Sequence, residues 1–204
     1  IQRSRIKEKG VTKNMKNMTL ANIAKAVNGS LHNAEQHVGE EAAGVVLDSR
    51  KVEAGYVFIA TKGERVDGHT FIDAVFEKGA LGVICEKAPE NPKGAYILVE
   101  DSFQALKDVA AFYRKQLNIK VVGITGSVGK TSTKEFIAAT LATHYQVLKT
   151  EGNFNNEIGL PLTVLRIRDN IEVAVLEMGI SDFGEMHRLS SIAQPDVCVI
   201  TNIG

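Results

Sequence analysis

Val121-Val122-Gly123-Ile124-Thr125-Gly126-Ser127-Val128-Gly129-Lys130-Thr131-Ser132 decides how this 204-residue chain folds. An apolar, β-branched run stops at a glycine-rich turn, which passes through Lys130 and Thr131 into a helix-forming segment. That order gathers the backbone N–H groups of a turn and of a helix N-terminus around one point, a cradle for phosphate oxygens. Lys130 adds a mobile positive charge, and the hydroxyl of Thr131 is placed to ligate Mg²⁺. Thr125, Gly126, Ser127, Val128, Gly129, Lys130, Thr131 and Ser132 are therefore the expected contacts of a nucleotide triphosphate, with Lys130 the candidate catalytic residue. The spelling departs from the strict G-x-x-x-x-G-K-[ST] pattern. Six residues before Lys130 stands Ile124, with Gly123 and Gly126 on either side of it. A plain glycine turn is the competing reading, and the strand before with a helix after favours phosphate.

Working outward, strands alternate with helices. Thr19 caps a helix that runs to Val27 and ends at Gly29, and short β-rich runs follow at Val45–Leu47 and Tyr56–Ile59. A helix is expected over His69–Lys78 with Gly79 after it, then strands at Gly82–Cys85 and Tyr96–Val99. Ser102–Leu117 reads as an amphipathic helix bridging two halves. Beyond it come strand Lys120–Thr125, helix Lys130–Tyr145 and strand Gln146–Leu148, then strand Glu172–Glu177, helix Glu185–Ile192 and strand Asp196–Thr201. The fold class is α/β, with a parallel sheet covered by helices on both faces. At 204 residues the chain suits two units, and we expect them over residues 15–99 and 100–204. Residues 1–14 are basic and carry no apolar periodicity; they read as a leader, disordered or foreign to the fold, before a start at Met15 or Met18.

Bulk composition narrows the function classes. Lys+Arg and Asp+Glu both total 24, so there is no basic field for nucleic acid or an anionic membrane. No apolar run reaches transmembrane length and no signal peptide is evident. Cys85 and Cys198 each sit in an apolar strand-like run and read as buried structural thiols. A cytoplasmic monomer fits these features.

Two more segments bear on the site. Glu177 closes the run Glu172-Val173-Ala174-Val175-Leu176, and a parallel strand delivers its last residue to the edge where the phosphate loop lies. With Thr131 it forms the expected metal pair, a strand-end carboxylate facing water being the competing reading. Between the loop helix and that strand lies Asn153-Phe154-Asn155-Asn156-Glu157-Ile158-Gly159-Leu160-Pro161, readable as a turn-rich loop and also as a set of amides beside the phosphates. Upstream, Ser49 and Arg50 offer a hydroxyl and a guanidinium that can read a pyrophosphate or a uracil edge. Taken alone, that dipeptide reads more readily as a turn cap and a solvated charge. Asp67 caps the following helix or serves the site, and His69 reads as structural; His187 reads as a helix-surface residue.

The loop Gly123-Ile124-Thr125-Gly126-Ser127-Val128-Gly129-Lys130-Thr131 resembles the phosphate loop of the Mur ligases, the amide-forming enzymes of peptidoglycan synthesis. The asparagine segment, the run Glu177-Met178-Gly179-Ile180-Ser181 and the stretch Ile200-Thr201-Asn202-Ile203-Gly204 are similar to that family's central domain. Leu47-Asp48-Ser49-Arg50, Gly55–Ala60 and Gly63–His69 resemble its UDP-binding domain. The resemblance covers residues 18–204 and about the first half of the family's architecture. It implies a small UDP-binding domain followed by an incomplete P-loop ATP-binding domain. It also implies ATP and Mg²⁺ as cofactors, UDP-N-acetylmuramoyl-tripeptide as the acid and D-alanyl-D-alanine as the amine. Ser49, Arg50, Asn155 and Asn156 become substrate contacts, and Thr131 and Glu177 the metal ligands. The family's metal-binding histidine, carbamylated lysine and third domain follow the stretch that ends at Gly204, so this chain is expected to be an inactive fragment on its own. A sister ligase that adds a single amino acid, and a non-catalytic module that binds a UDP-sugar or a nucleotide, are the alternatives. A generic P-loop kinase or GTPase leaves the Asp48-Ser49-Arg50 and Asn153–Asn156 segments unexplained.

Overall fold

The computed structural model of the chain describes residues 14–203, so the leader expected over residues 1–14 lies outside the described residues but for Asn14. Among the described residues, nine strands form two sheets. The first comprises β1 (Ser30–His32), β2 (Gly44–Val46), β3 (Tyr56–Ile59), β4 (Gly82–Cys85) and β5 (Tyr96–Leu98), in the order β1-β5-β4-β3-β2. All its pairings are parallel except β1 against β5, where Ser30 faces Leu98 and His32 faces Tyr96. The edge strand β1 is absent from the sequence reading because its three residues alternate exposed and half-buried, with no apolar run to mark it.

Helix α1 (Leu20–Ala26) starts at Thr19, whose Oγ1 accepts the Asn22 N–H at 3.3 Å, and it buries Leu20, Ile23 and Ala24. Its stop differs from expectation. Asn28 takes the left-handed conformation (φ 51°), and the Gly29 N–H closes back onto Ala24 O at 2.9 Å. Gly29 is required for another reason: a Cβ there would stand 2.7 Å from Ile97 Cγ2 and 2.8 Å from Leu98 O. The helix expected over His69–Lys78 divides into a 3₁₀ turn, Gly68–Phe71, and α2 (Ile72–Glu77), with Asp67 accepting the His69 N–H at 3.0 Å.

The second sheet is wholly parallel, in the order β7 (Val147–Lys149), β8 (Val173–Glu177), β6 (Lys120–Thr125), β9 (Val197–Ile200). Helix α4 (Lys130–Leu141) covers one face, with Ala138 packing among Ile124, Val173 and Val175. It ends four residues earlier than expected, and a turn carries the chain to Tyr145. The other face, through Val121, Ala174 and Leu176, meets α3 (Ser102–Gln116), α5 (Gly159–Val164) and α6 (Glu185–Ala193). Helix α5 was not expected. Pro161 falls in its first turn, where a backbone N–H has no intrahelical acceptor, so proline's lack of one costs no helix hydrogen bond.

Helix α3 joins the two sheets. Asp101 caps it by accepting the Phe103 and Gln104 N–H groups at 2.8 and 2.9 Å. Its apolar stripe of Leu106, Val109, Ala110 and Tyr113 lies in one continuous buried cluster with Ile84 and Ile97 of the first sheet and Leu176 of the second. Tyr113 Oη donates to Ile167 O at 2.7 Å, and Arg114 Nε to Ala193 O at 2.8 Å. The cysteines part company. Cys85 is buried, and burial pushes its thiol up to about 11. Cys198 is exposed, against expectation, because β9 is an edge strand whose Val197, Cys198 and Ile200 lack cover among the described residues.

Because Leu106 is fully buried at this junction, Leu106→Ala is expected to lower the unfolding free energy by about 2–5 kcal/mol. Denaturant titration followed by circular dichroism measures it.

Candidate nucleotide site

The parallel register sets the site. Ile124 on β6 lies opposite Glu177 on β8, so the phosphate loop and the carboxylate leave the sheet at one edge. The loop turns at Gly126, with φ 132°, and a Cβ there would fall 2.2 Å from Thr201 Oγ1 and 2.8 Å from Asn202 N. Gly129 (φ 85°) is the N-cap of α4 and offers no side chain to its first N–H groups. That leaves a helix N-terminus open to an anion. Lys130 Nζ crosses back over the loop to donate to Gly126 O at 2.6 Å. Ser127, Val128 and Gly129 are exposed, as are Thr131 and Ser132. Thr125 is buried, and its Oγ1 has no hydrogen-bond partner among the described residues.

The residues after β9 hold the loop from beneath, a role the sequence did not suggest for them. Thr201 Oγ1 donates to Val128 O at 2.6 Å, Thr201 N to Thr125 O at 2.9 Å, and Ser127 N to Asn202 O at 3.0 Å. The sole sequence signal was a Thr-Asn pair directly after a strand aligned with the loop's own.

Glu177 is the electrostatic centre. Only 2% of it is exposed, and a carboxylate taken that far from water must be paired or hydrogen-bonded to stay ionised. Thr131 Oγ1 donates to its Oε2 at 3.1 Å and Asn155 Nδ2 to its Oε1 at 2.8 Å. The Lys134 ammonium stands 3.6 Å from Oε2. The Glu177 N–H donates to Thr150 Oγ1 at 2.9 Å. The structure thus brings together Thr131, Asn155 and Glu177, with Lys130 directed instead to Gly126 O.

Asn156 points elsewhere. Its Oδ1 accepts the Ile158 and Gly159 N–H groups at 3.2 and 2.8 Å and so starts α5. Asn155 O also accepts the Gly179 N–H at 2.7 Å, tying the segment to the turn after β8. His187 is exposed on α6. His69 is structural: its Nδ1 meets Asp67 Oδ1 at 2.7 Å while its Nε2 accepts the Glu86 N–H at 3.0 Å, which assigns the ring proton to Nδ1.

Ser49 and Arg50 lie in a 3₁₀ turn after β2 in the first sheet. Asp48 caps that turn and grips the guanidinium with both oxygens, Arg50 Nε to Oδ1 and the Arg50 terminal nitrogen to Oδ2 at 2.9 Å each. The Arg50 side chain is 87% exposed. These bonds hold the Asp48 carboxyl at about 2, well below its ordinary 3.8, the Arg50 side-chain hydrogen bond being the largest cause and the Arg50 N–H the next. A cleft of about 700 Å³ separates this turn from the other unit, with Leu47, Asp48 and Lys51 on one wall and Phe154, Leu162 and Arg166 on the other.

Residues 41–124 match the profile of the Mur ligase family, catalytic domain, and residues 124–204 that of the Mur ligase middle domain. The chain belongs to the Mur ligase family. It is 50% identical over 188 residues to the UDP-N-acetylmuramoyl-tripeptide–D-alanyl-D-alanine ligase of Bacillus subtilis, covering 91% of this chain and 41% of that protein. The Escherichia coli protein of the same name is 35% identical over 93% of this chain and 41% of its own. The chain therefore spans about two fifths of the length of these relatives. Among solved structures, a MurF of Acinetobacter baumannii superposes with a TM-score of 0.83 at 37% identity, over 92% of this chain and 41% of that one. The MurF ligase of Thermotoga maritima in complex with ADP gives 0.72 at 43% identity, over 79% and 38%. Mixed α/β structure with parallel sheets is thus common to this Mur ligase chain and its relatives.

The site geometry yields two expectations. Gly126→Ala forces a Cβ into Thr201 at an unfavourable φ, so the loop should be strained and the thermal unfolding midpoint, followed by circular dichroism, should fall. Ionised Asp48 is favoured in the folded chain, so its pairing with Arg50 contributes above about pH 4 and fades as pH falls toward 2. Carboxyl NMR titration should find Asp48 near that lower value, and Arg50→Gln should raise its midpoint toward 3.8.

Proposed function

We propose that this chain is the UDP-sugar-binding and ATP-phosphate-binding portion of a cytoplasmic ligase that joins D-alanyl-D-alanine to UDP-N-acetylmuramoyl-tripeptide. One observation carries the reading: the buried Glu177 carboxylate is held at once by Thr131 of the phosphate loop and Asn155 of the asparagine segment. A loop that merely bound a nucleotide has no need of that second segment. The names of the relatives, and the ADP in the Thermotoga maritima complex, support the same direction.

The chemistry follows from the acid. An amine cannot expel oxide from a carboxylate, so the carboxylate must first be given a leaving group. Its oxygen attacks the γ-phosphorus of ATP; an O–P bond forms, the bond to the β-phosphate bridging oxygen breaks, and ADP departs. The amine nitrogen then attacks the acyl phosphate carbon, loses a proton and releases inorganic phosphate. In this reading Lys130 and the N–H groups at the start of α4 stabilise charge on the transferring phosphoryl group. Thr125 through Ser132 line the phosphates, and the buried Thr125 hydroxyl, which has no hydrogen-bond partner among the described residues, is available to them. Asn155 orients the phosphate or the peptide end, and Asn156 acts by shaping the turn into α5.

Mg²⁺ fits the donors present. Thr131 and Glu177 offer hard oxygens 3.1 Å apart, and no group of three or more His, Cys, Asp or Glu converges among the described residues. A cation with few protein ligands that keeps water and phosphate oxygens suits such a pair. Thr131 and Glu177 would hold Mg²⁺, which would supply positive charge to offset that of the phosphates. Ser49 and Arg50 face the uridine diphosphate end of the acid, in a unit spanning residues 15–99, while residues 100–204 form the ATP unit. The cleft between them then accommodates the rest of the acid. No helix among the described residues is long and apolar enough to cross a membrane.

Lys130→Ala in the complete gene product is expected to cut ADP release with the tripeptide acid and D-alanyl-D-alanine at least about a hundredfold. Near-normal turnover would contradict the assignment. Turnover sustained by a single amino acid in place of the dipeptide would assign a sister ligase instead.

A further inference from the structure

One turn beyond Lys130, α4 buries a second lysine. Lys134 is 1% exposed. Its ammonium lies 3.6 Å from Glu177 Oε2 and 3.4 Å from Glu135 Oε1, and Glu135 also pairs with Lys149. Removing both Lys134 and Glu177 from water is costly, and apolar side chains of similar volume often serve stability as well or better. A charge kept in such a place answers to something other than packing.

The identity of the shared atom suggests what that is. Glu177 Oε2, which faces the ammonium, is also the oxygen that accepts the Thr131 hydroxyl. It is the oxygen of the Thr131–Glu177 pair assigned above to the metal. A protonated lysine has donors and no acceptor, so it cannot ligate a cation; it can only supply the positive charge that a cation would bring. The other side-chain groups on this carboxylate, Thr131 and Asn155, are neutral donors. Lys134 is therefore the cationic partner that the structure gives Glu177, and Glu135 and Lys149 extend the charge pattern outward to exposed groups.

We propose that Lys134 is a positioning residue that stands in for the divalent cation: it balances and aims Glu177 before metal arrives, and its charge opposes binding of free divalent metal. Metal then enters with the nucleotide, whose phosphates outweigh the ammonium. The proposal rests on reading Glu177 as the metal carboxylate.

Mn²⁺ binding by electron paramagnetic resonance, on the complete gene product with and without ADP, tests it. A unit charge facing a divalent ion across a few ångströms is worth about a factor of ten even in a water-like dielectric. Lys134→Met and Lys134→Gln, each checked for folding by circular dichroism, should bind free Mn²⁺ at least about tenfold more tightly than the parent chain. The factor by which ADP tightens Mn²⁺ binding should shrink correspondingly. A lysine that served packing alone would leave that factor unchanged. Free Mn²⁺ affinity equal to or weaker than the parent in the folded variants would overturn the proposal. Glu177→Gln separates the two levels. If it leaves ADP-dependent Mn²⁺ binding intact, the metal reading of Glu177 falls. If it abolishes that binding while the Lys134 variants show no tightening, the Lys134 proposal alone falls.

Discussion

A single buried negative charge organises this molecule's functional edge. The Glu177 carboxylate sits almost wholly out of water, where an unpaired charge is costly enough that partners must be supplied from every side. They come from separate elements, Thr131 and Lys134 from α4 and Asn155 from the segment before α5, while Thr150 just after β7 anchors the strand end by accepting the Glu177 backbone N–H. Displacing any of these elements strands the charge. The parallel register of β6 with β8 makes the arrangement possible, because it places the strand end carrying Glu177 beside the strand end carrying the loop. The constraint thus runs from sheet topology, through electrostatics, to the position of the phosphate cradle.

Where several local signals agreed, the chain could be read directly. The β6–loop–α4 unit combines β-branched residues, glycines at left-handed φ and a helix-forming run, so propensity and tertiary structure point the same way. Glu177 was legible because a strand's last residue has a definite destination. What escaped was decided by distant neighbours. β1 is a strand only because β5 pairs with it. α5 was hidden by its proline and by asparagines that read as loop, although Asn156 is the helix's own start signal. Asn28 took the left-handed position expected of Gly29, while Gly29 answers to crowding by Ile97 and Leu98. Thr201 and Asn202 support the loop across more than seventy residues of sequence, which no local pattern announces. Cys198 sits in an apolar run yet is exposed, since an edge strand's burial depends on what lies beside it.

The two sheets contribute differently. The second carries the buried carboxylate and the loop; the first ends in a turn where Asp48 holds Arg50 outward at the rim of the intervening cleft. Helix α3 joins them through one continuous apolar cluster. On the proposed function, the acid would reach across that cleft from its uridine diphosphate end to the reacting carboxylate, and holding it in one orientation favours such chemistry.

The central claim is that Thr131 and Glu177 act as one metal-binding pair. A double-mutant cycle tests it directly: Mg²⁺-dependent ADP affinity measured for Thr131→Ala, Glu177→Gln and the double variant of the complete gene product. The two effects should be non-additive, with a coupling of about 0.5–3 kcal/mol. Strictly additive losses, or Mg²⁺-dependent affinity untouched by either change, would contradict the account.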